Sequence, residues 1–280
     1  EFQCGPAALA TVLAASGVEV TPEALAPKVY LPERKGSFQA ELIGAARRYG
    51  RMAYRLPEIG DALIAELAEG RPVLVLQNLG LARRPVWHYA VLIGYDADEN
   101  VAILRSGRER RLAMRWQRFA RSWHTAGRWA ISTFAPGIVP ESVDSARYQE
   151  AAAGLEAAGQ NDAAARAWDA WLARMPDEPY AWLGRGNLAY ERRDFAAAAE
   201  AYARAVELAP ADAAMRNNLA QVLSEAGCHD EARRQAARAV SLAEGSELEK
   251  LVGETRAAIH AAADRSGRPA CAFPDRAWPD

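Results

Sequence analysis

Two side chains in this 280-residue sequence have the type and setting for covalent chemistry, Cys4 and His88. Cys4 stands in Gln3-Cys4-Gly5-Pro6-Ala7-Ala8, where Pro6 marks the first turn of a helix. A thiol at a helix start faces unpaired N–H groups and the positive end of the helix dipole, both of which favour the thiolate. Gly5 would let a substrate approach the backbone. On its own such a cysteine is more often structural than reactive. His88 changes that weighting, because of four histidines it alone falls in a strand-like run, Trp87-His88-Tyr89-Ala90-Val91-Leu92-Ile93-Gly94-Tyr95-Asp96. A thiolate that attacks a carbonyl and an imidazole that takes and returns its proton together make an amide-hydrolysing pair. Acyl transfer is the variation.

These residues must be positioned by the elements around them. CGPAALATVLAASG (4–17) reads as a helix ended by Gly17, and Thr21-Pro22-Glu23 opens a short second one. SFQAELIGAARRYG (37–50) and IGDALIAELAEG (59–70) have helical period. MAYRLP, PVLVLQN (72–78), VWHYAVLIGYD (86–96), VAILRS (101–106) and RWAISTF (128–134) read as strands, and RRLAMRWQRFARSWH as a strand turning into a helix. Helices first and antiparallel strands second give an α+β domain over residues 1–136.

After a Pro/Gly-containing linker (137–144) the texture turns Ala-rich and repeats with a step of 34. Pro176 and Pro210 keep that step, as do Ala164, Ala198 and Ala232, and Trp168, Tyr202 and Ala236. Tyr148 and Trp182 are matched by Arg216. Gly159 and Gly227 make the turns of the outer units, and Arg193-Asp194 makes the middle one. The units 145–178, 179–212 and 213–246, followed by a capping helix to 264, resemble the tetratricopeptide repeat, an all-α solenoid. The Pro-rich stretch 265–280 lacks periodicity and is expected to be disordered, with Cys271 an exposed, incidental thiol.

Cys-Gly-Pro-Ala before a helix, with His-Tyr-Ala-Val-Leu-Ile-Gly-Tyr on a strand some 80 residues later, resembles a family of papain-like cysteine peptidases. The family processes double-glycine leader peptides of bacteriocins. The closest likeness is to a free-standing bacterial branch fused to tetratricopeptide repeats. The resemblance implies Cys4 as nucleophile and His88 as base. It also implies an Asp orienting the histidine about 16 residues on, where this sequence has Leu104-Arg105-Ser106-Gly107. Asp96 and Asp98 read as turn residues. Asn78 and Ser106 therefore stand as alternative orienters, with Asn78 ranked first because an amide can hold an imidazole tautomer. Gln3, Gly5 and Gln77 are candidates for oxyanion or substrate contact. The family's oxyanion glutamine lies about six residues before the cysteine, so it is expected upstream of Glu1, and a direct neighbour such as Gln3 points away from the thiol.

Composition sets the remaining bounds. Half the residues are hydrophobic and a quarter charged, which suits packed domains. Residues 1–140 carry 18 Lys/Arg against 13 Asp/Glu, a local +5 that the rest offsets to a net -2. That balance speaks against a globally basic nucleic-acid binder, and no apolar run approaches the ~20 residues of a membrane span. Three cysteines, at 4, 228 and 271, suggest no disulfide framework and no metal pattern, and no cofactor motif is present. The expected partners are a peptide or protein substrate and a protein partner on the repeat surface. The sequence leaves oligomeric state open. The family points to the bacterial envelope or periplasm, with the cytoplasm as alternative.

Overall fold

The first eleven elements of the structure, a computed structural model, alternate much as their periodicities predict. It describes residues 4–31, 33, 36–263, 270–273 and 276–279. In chain order they are α1 (Cys4–Ala15), α2 (Pro22–Val29), α3 (Gln39–Arg48), β1 (Met52–Arg55), α4 (Gly60–Ala68), β2 (Val73–Asn78), β3 (Trp87–Asp96), β4 (Val101–Ser106), β5 (Glu109–Arg115), α5 (Trp116–His124) and β6 (Ala130–Phe134). The six strands form one antiparallel sheet in the order β1-β6-β2-β3-β4-β5. The fold is α+β. RRLAMRWQRFARSWH divides into β5 and α5.

Burial explains the order. β2 is apolar at four successive positions and buried along its whole length, as a central strand must be. β5, with Arg110, Arg111 and Arg115 exposed, stands at the edge, where charged side chains blunt unwanted pairing. α1 is nearly all apolar and sinks into the core, its Leu9, Val12 and Leu13 packing with Leu42 of α3, Leu74 and Leu76 of β2, and Val91 of β3. Thr133 of β6 donates its hydroxyl to the Val12 carbonyl (2.9 Å), which ties α1 to the sheet. Between α4 and β2 a buried carboxylate, Glu66, meets Arg71 through two hydrogen bonds of 2.6 and 3.0 Å.

Beyond the sheet come α6 (Ser145–Ala157), α7 (Asn161–Arg174), α8 (Pro179–Glu191), α9 (Phe195–Leu208), α10 (Ala213–Glu225), α11 (His229–Ala243) and α12 (Glu249–Ala263). The chain divides into two compact units, Glu1–Ala167 and Trp168–Asp280. The first thus runs past the linker expected at 137–144. Specific bonds explain this. The Asp144 amide donates to the Tyr54 hydroxyl (2.9 Å), and Arg147 reaches the Leu56 carbonyl (2.8 Å) and Glu58 (2.9 Å).

The repeat positions have physical meaning. Ala164, Ala198 and Ala232 are completely buried. A Cβ on Gly184 would lie 2.3 Å from the Trp168 indole, and one on Gly186 would lie 2.4 Å from the Tyr202 ring. The large ring of one helix therefore requires a bare backbone on the next. Trp182 and Arg216, unlike in chemistry, do the same work one repeat apart. The Trp182 indole N–H donates to the Pro176 carbonyl (2.8 Å), and Arg216 Nε donates to the Pro210 carbonyl (3.0 Å). Gly159 and Gly227 turn through positive φ (70° and 79°), and Arg193 accepts the same left-handed conformation (59°) in the middle unit.

Residues 270–273 and 276–279 correct the sequence reading, while the rest of the stretch 265–280 lies outside the described residues. Cys271 is disulfide-bonded to Cys228, 43 residues away, so neither is a free thiol. Ala272 N–H donates to the Ala226 carbonyl, Gln235 donates to the Pro279 carbonyl, and Phe273 and Trp278 pack on the repeat core. Cysteine spacing alone missed the pair because two whole helices separate the residues in sequence. Closing a loop of this length stabilises by roughly 2–4 kcal/mol. Cys271→Ser is accordingly expected to lower the melting temperature of the repeat unit. Reduction with dithiothreitol should give the same loss in the parent protein and no further loss in the variant, read by calorimetry.

Candidate active site

The N-terminus of α1 and the start of β3 meet at one end of the sheet. Cys4 is the first residue of α1, half-buried, and the one free thiol of the protein. The adjacent Tyr89 of β3 sends its hydroxyl to the Ser37 carbonyl (3.1 Å). Burial, with the charges of Cys4 and Glu41 beside it, holds the Tyr89 phenol well above its ordinary range. Cys4 is therefore a near neighbour of the strand residue that follows His88.

Gly5 has a reason the sequence did not disclose. A Cβ there would stand 2.6 Å from the Ser37 hydroxyl and 2.8 Å from its Cβ. The close approach is thus made by Ser37, where a substrate was expected. The sequence pattern places Ser37 at the opening of a helix. That helix starts two residues later, and the Ser37 hydroxyl is buried beside Gly5 without a hydrogen-bond partner.

His88 is half-buried near the start of β3, and its Nε2 lies 2.8 Å from the Ser106 hydroxyl of β4. Burial lowers its pKa below the ordinary 6.5, so the ring favours its neutral form. Among the described residues no hydrogen bond engages Nδ1, and none joins His88 to Cys4 Sγ. Gln77 and His88 are directly opposed across β2 and β3 and share a face, whereas Tyr89, next along, belongs to the core under α1.

The other candidates are engaged elsewhere. Asn78, ranked first as orienter, is buried and accepts two backbone N–H groups, from Gly80 and Val86, each at 3.0 Å. It holds the loop between β2 and β3. Gln77 donates to the Ser122 hydroxyl (2.7 Å), which in turn bonds the Phe119 carbonyl, so its amide anchors α5. Asp96 accepts from the Glu99 amide, a turn role. Gln3 lies outside the described residues. Among the described residues there is no group of three or more His, Cys, Asp or Glu that could hold a metal, and no helix is long and apolar enough to cross a membrane.

The imidazole titration gives a direct test. A group whose folded pKa lies below its unfolded value binds fewer protons when folded. The stability linked to His88 is therefore present above about pH 6.5 and lost as pH falls through the depressed value. The His88 ring resonances are expected to titrate below 6.5 in proton NMR. Ser106→Asp, which sets a carboxylate beside the ring, should move that midpoint upward, while Ser106→Ala should not.

A cysteine at the start of a core helix and a histidine near the start of an antiparallel strand stand in one α+β domain, the class that the sequence resemblance implies. Comparisons agree. Residues 2–131 match the model of the Peptidase C39 like family. Residues 150–213 and 183–247 match the tetratricopeptide repeat. The first region of the chain thus resembles the C39-like peptidases, and the second matches the tetratricopeptide repeat. Among solved structures it is similar to a putative C39-like peptidase from Bacillus anthracis, at 20% identity and a TM-score of 0.40, covering 48% of this chain and 88% of that one. No curated protein matches it.

Proposed function

We propose that the first domain is a cysteine peptidase in which Cys4 is the nucleophile, His88 the base and Ser106 the residue that orients the imidazole. The observation that carries this reading is the Nε2–Ser106 contact, which leaves Nδ1 as the nitrogen available to a thiol. With Nε2–H donating to Ser106 Oγ, the Nδ1 lone pair accepts the Cys4 proton and Sγ attacks the substrate carbonyl carbon. The tetrahedral intermediate collapses as Nδ1–H protonates the leaving amine, giving an acyl-enzyme. Water, deprotonated by the same nitrogen, releases the acid and restores the thiol. Ser106 is neutral, so it fixes the tautomer without stabilising the imidazolium as a carboxylate would.

Repeats of this kind suit recruitment of a peptide or protein partner. The Cys228–Cys271 disulfide supports an oxidising compartment over the cytoplasm.

Because Cys4 is the one free thiol, alkylation tests the reading cleanly. Iodoacetamide at pH 6 is expected to modify Cys4 much faster than it modifies glutathione. A rate no greater than that of glutathione would remove the case for an activated nucleophile. A second reading, peptide capture without turnover, is favoured by the serine that stands where the family has an acid. Binding of peptides with no cleavage at any pH would select it.

A further inference from the structure

The loop joining β2 to β3 is built as a rigid arm. It runs from Leu79 to Val86, and Leu79 N–H donates to the Val86 carbonyl (2.9 Å). Leu81 and Arg84 exchange both of their backbone hydrogen bonds (3.2 and 3.0 Å). Asn78 clamps its base through two N–H groups, and Gly80 admits the opposite strand where a Cβ would lie 2.4 Å from the Arg84 carbonyl. Yet this ordered arm shows solvent a surface that does not suit water. Leu79, Leu81, Val86 and Trp87 are 51–75% exposed. Arg83 and Arg84, at the tip, form no ion pair with any described residue, and the stretch contains no acid.

Position gives this surface its meaning. Antiparallel pairing brings the arm, the start of β3 with His88, and the end of β4 with Ser106 to the same end of the sheet. The turn after β4 adds Arg108, exposed, with Glu109 opening β5 beside it. Apolar side chains and unpaired guanidinium groups on a preorganised loop bind without the cost of ordering it.

We propose that the arm Leu79–Trp87 is the substrate-recognition element of this site, and that it takes a peptide segment with an acidic residue next to large apolar ones. The apolar side chains of the peptide cover Leu81 and Trp87, and its carboxylate pairs with Arg83 or Arg84. The proposal rests on the peptidase reading for the identity of the occupant as substrate. Binding, however, can be read without turnover.

The test uses the full chain carrying Cys4→Ala and two fluorescein-labelled dodecapeptides that differ only in having Glu or Lys beside the same leucines. Anisotropy is expected to show at least ten-fold tighter binding of the Glu peptide. Arg83→Glu with Arg84→Glu should reverse that preference, and Leu81→Ser with Trp87→Ser should weaken both peptides; all four positions are exposed, so circular dichroism should be unchanged. Equal affinity for the two peptides, or a charge reversal without effect, overturns the proposal. So does arm-dependent binding to phosphatidylglycerol vesicles with none to either peptide, which would make the arm a membrane contact. Charge-dependent binding with no cleavage by the parent protein supports the arm and tells against hydrolysis. Binding and cleavage of both peptides equally overturns the arm and leaves hydrolysis standing.

Discussion

If the first domain hydrolyses peptides as proposed, Cys4→Ala is expected to reduce that hydrolysis by roughly 10⁴-fold or more, the loss typical of removing the nucleophile from a coupled catalytic unit. The physical reason is that no other group can replace it. The remaining two cysteines are joined to each other, so no second thiol exists. Covalent catalysis splits one difficult displacement into two easier ones, and that division is lost with the sulfur. Groups that act as a unit are not additive, so His88→Ala in the Cys4→Ala background should cost almost nothing more. The measurement is mass-spectrometric detection of new peptide termini from a defined pool, with parent and variants at equal concentration. New termini of equal abundance from the parent and Cys4→Ala would end the hydrolytic reading.

The largest expected effect on stability lies elsewhere, at Glu66. Its side chain is 3% exposed and that of Arg71 12%, so the pair has left water almost completely. Two bonds join them, Arg71 also bonds Glu69 (2.8 Å), and its guanidinium lies over the Phe134 ring at 5.5 Å. Glu66→Ala removes two of the three carboxylate bonds to a buried guanidinium, leaving Glu69 as its partner, and should cost about 3 kcal/mol, the lower end for a broken buried pair. Replacing both partners with apolar residues of similar volume, Glu66→Leu with Arg71→Met, should recover most of that loss, because the desolvation cost disappears with the charges. Thermal unfolding of the full chain, following the transition of the first unit, separates the outcomes. A double variant as unstable as Glu66→Ala would show that the pair contributes attraction beyond offsetting its own burial.

Much of the fold was legible because the signals are local. The apolar run of β2, the all-apolar α1 and the 34-residue step each depend on residues near one another in sequence, where helix and strand periods operate. Even the odd match of Trp182 with Arg216 held its meaning, since both reach a proline carbonyl six residues before them. What escaped was contact between distant segments. β6 inserts between β1 and β2, which no hairpin spacing announces. Gly5 looked like an opening for substrate until Ser37 was found against it. Residues 270–273 and 276–279 show no periodicity because their order comes from the repeat surface they lie on.

The sequence by itself determined the class of both halves and singled out Cys4 and His88, since a helix start, a strand and a repeat are written in adjacent residues. Tertiary structure decided what those residues touch. It set Ser106 beside the imidazole and gave Asn78 to the neighbouring loop, and it joined Cys228 to Cys271. The reason is geometric. Side chains on adjacent strands meet according to register, and a slip of one residue sends every one of them to the other face. Register is fixed by the whole core, so composition and spacing could nominate a partner for His88 but only the packed sheet could choose one.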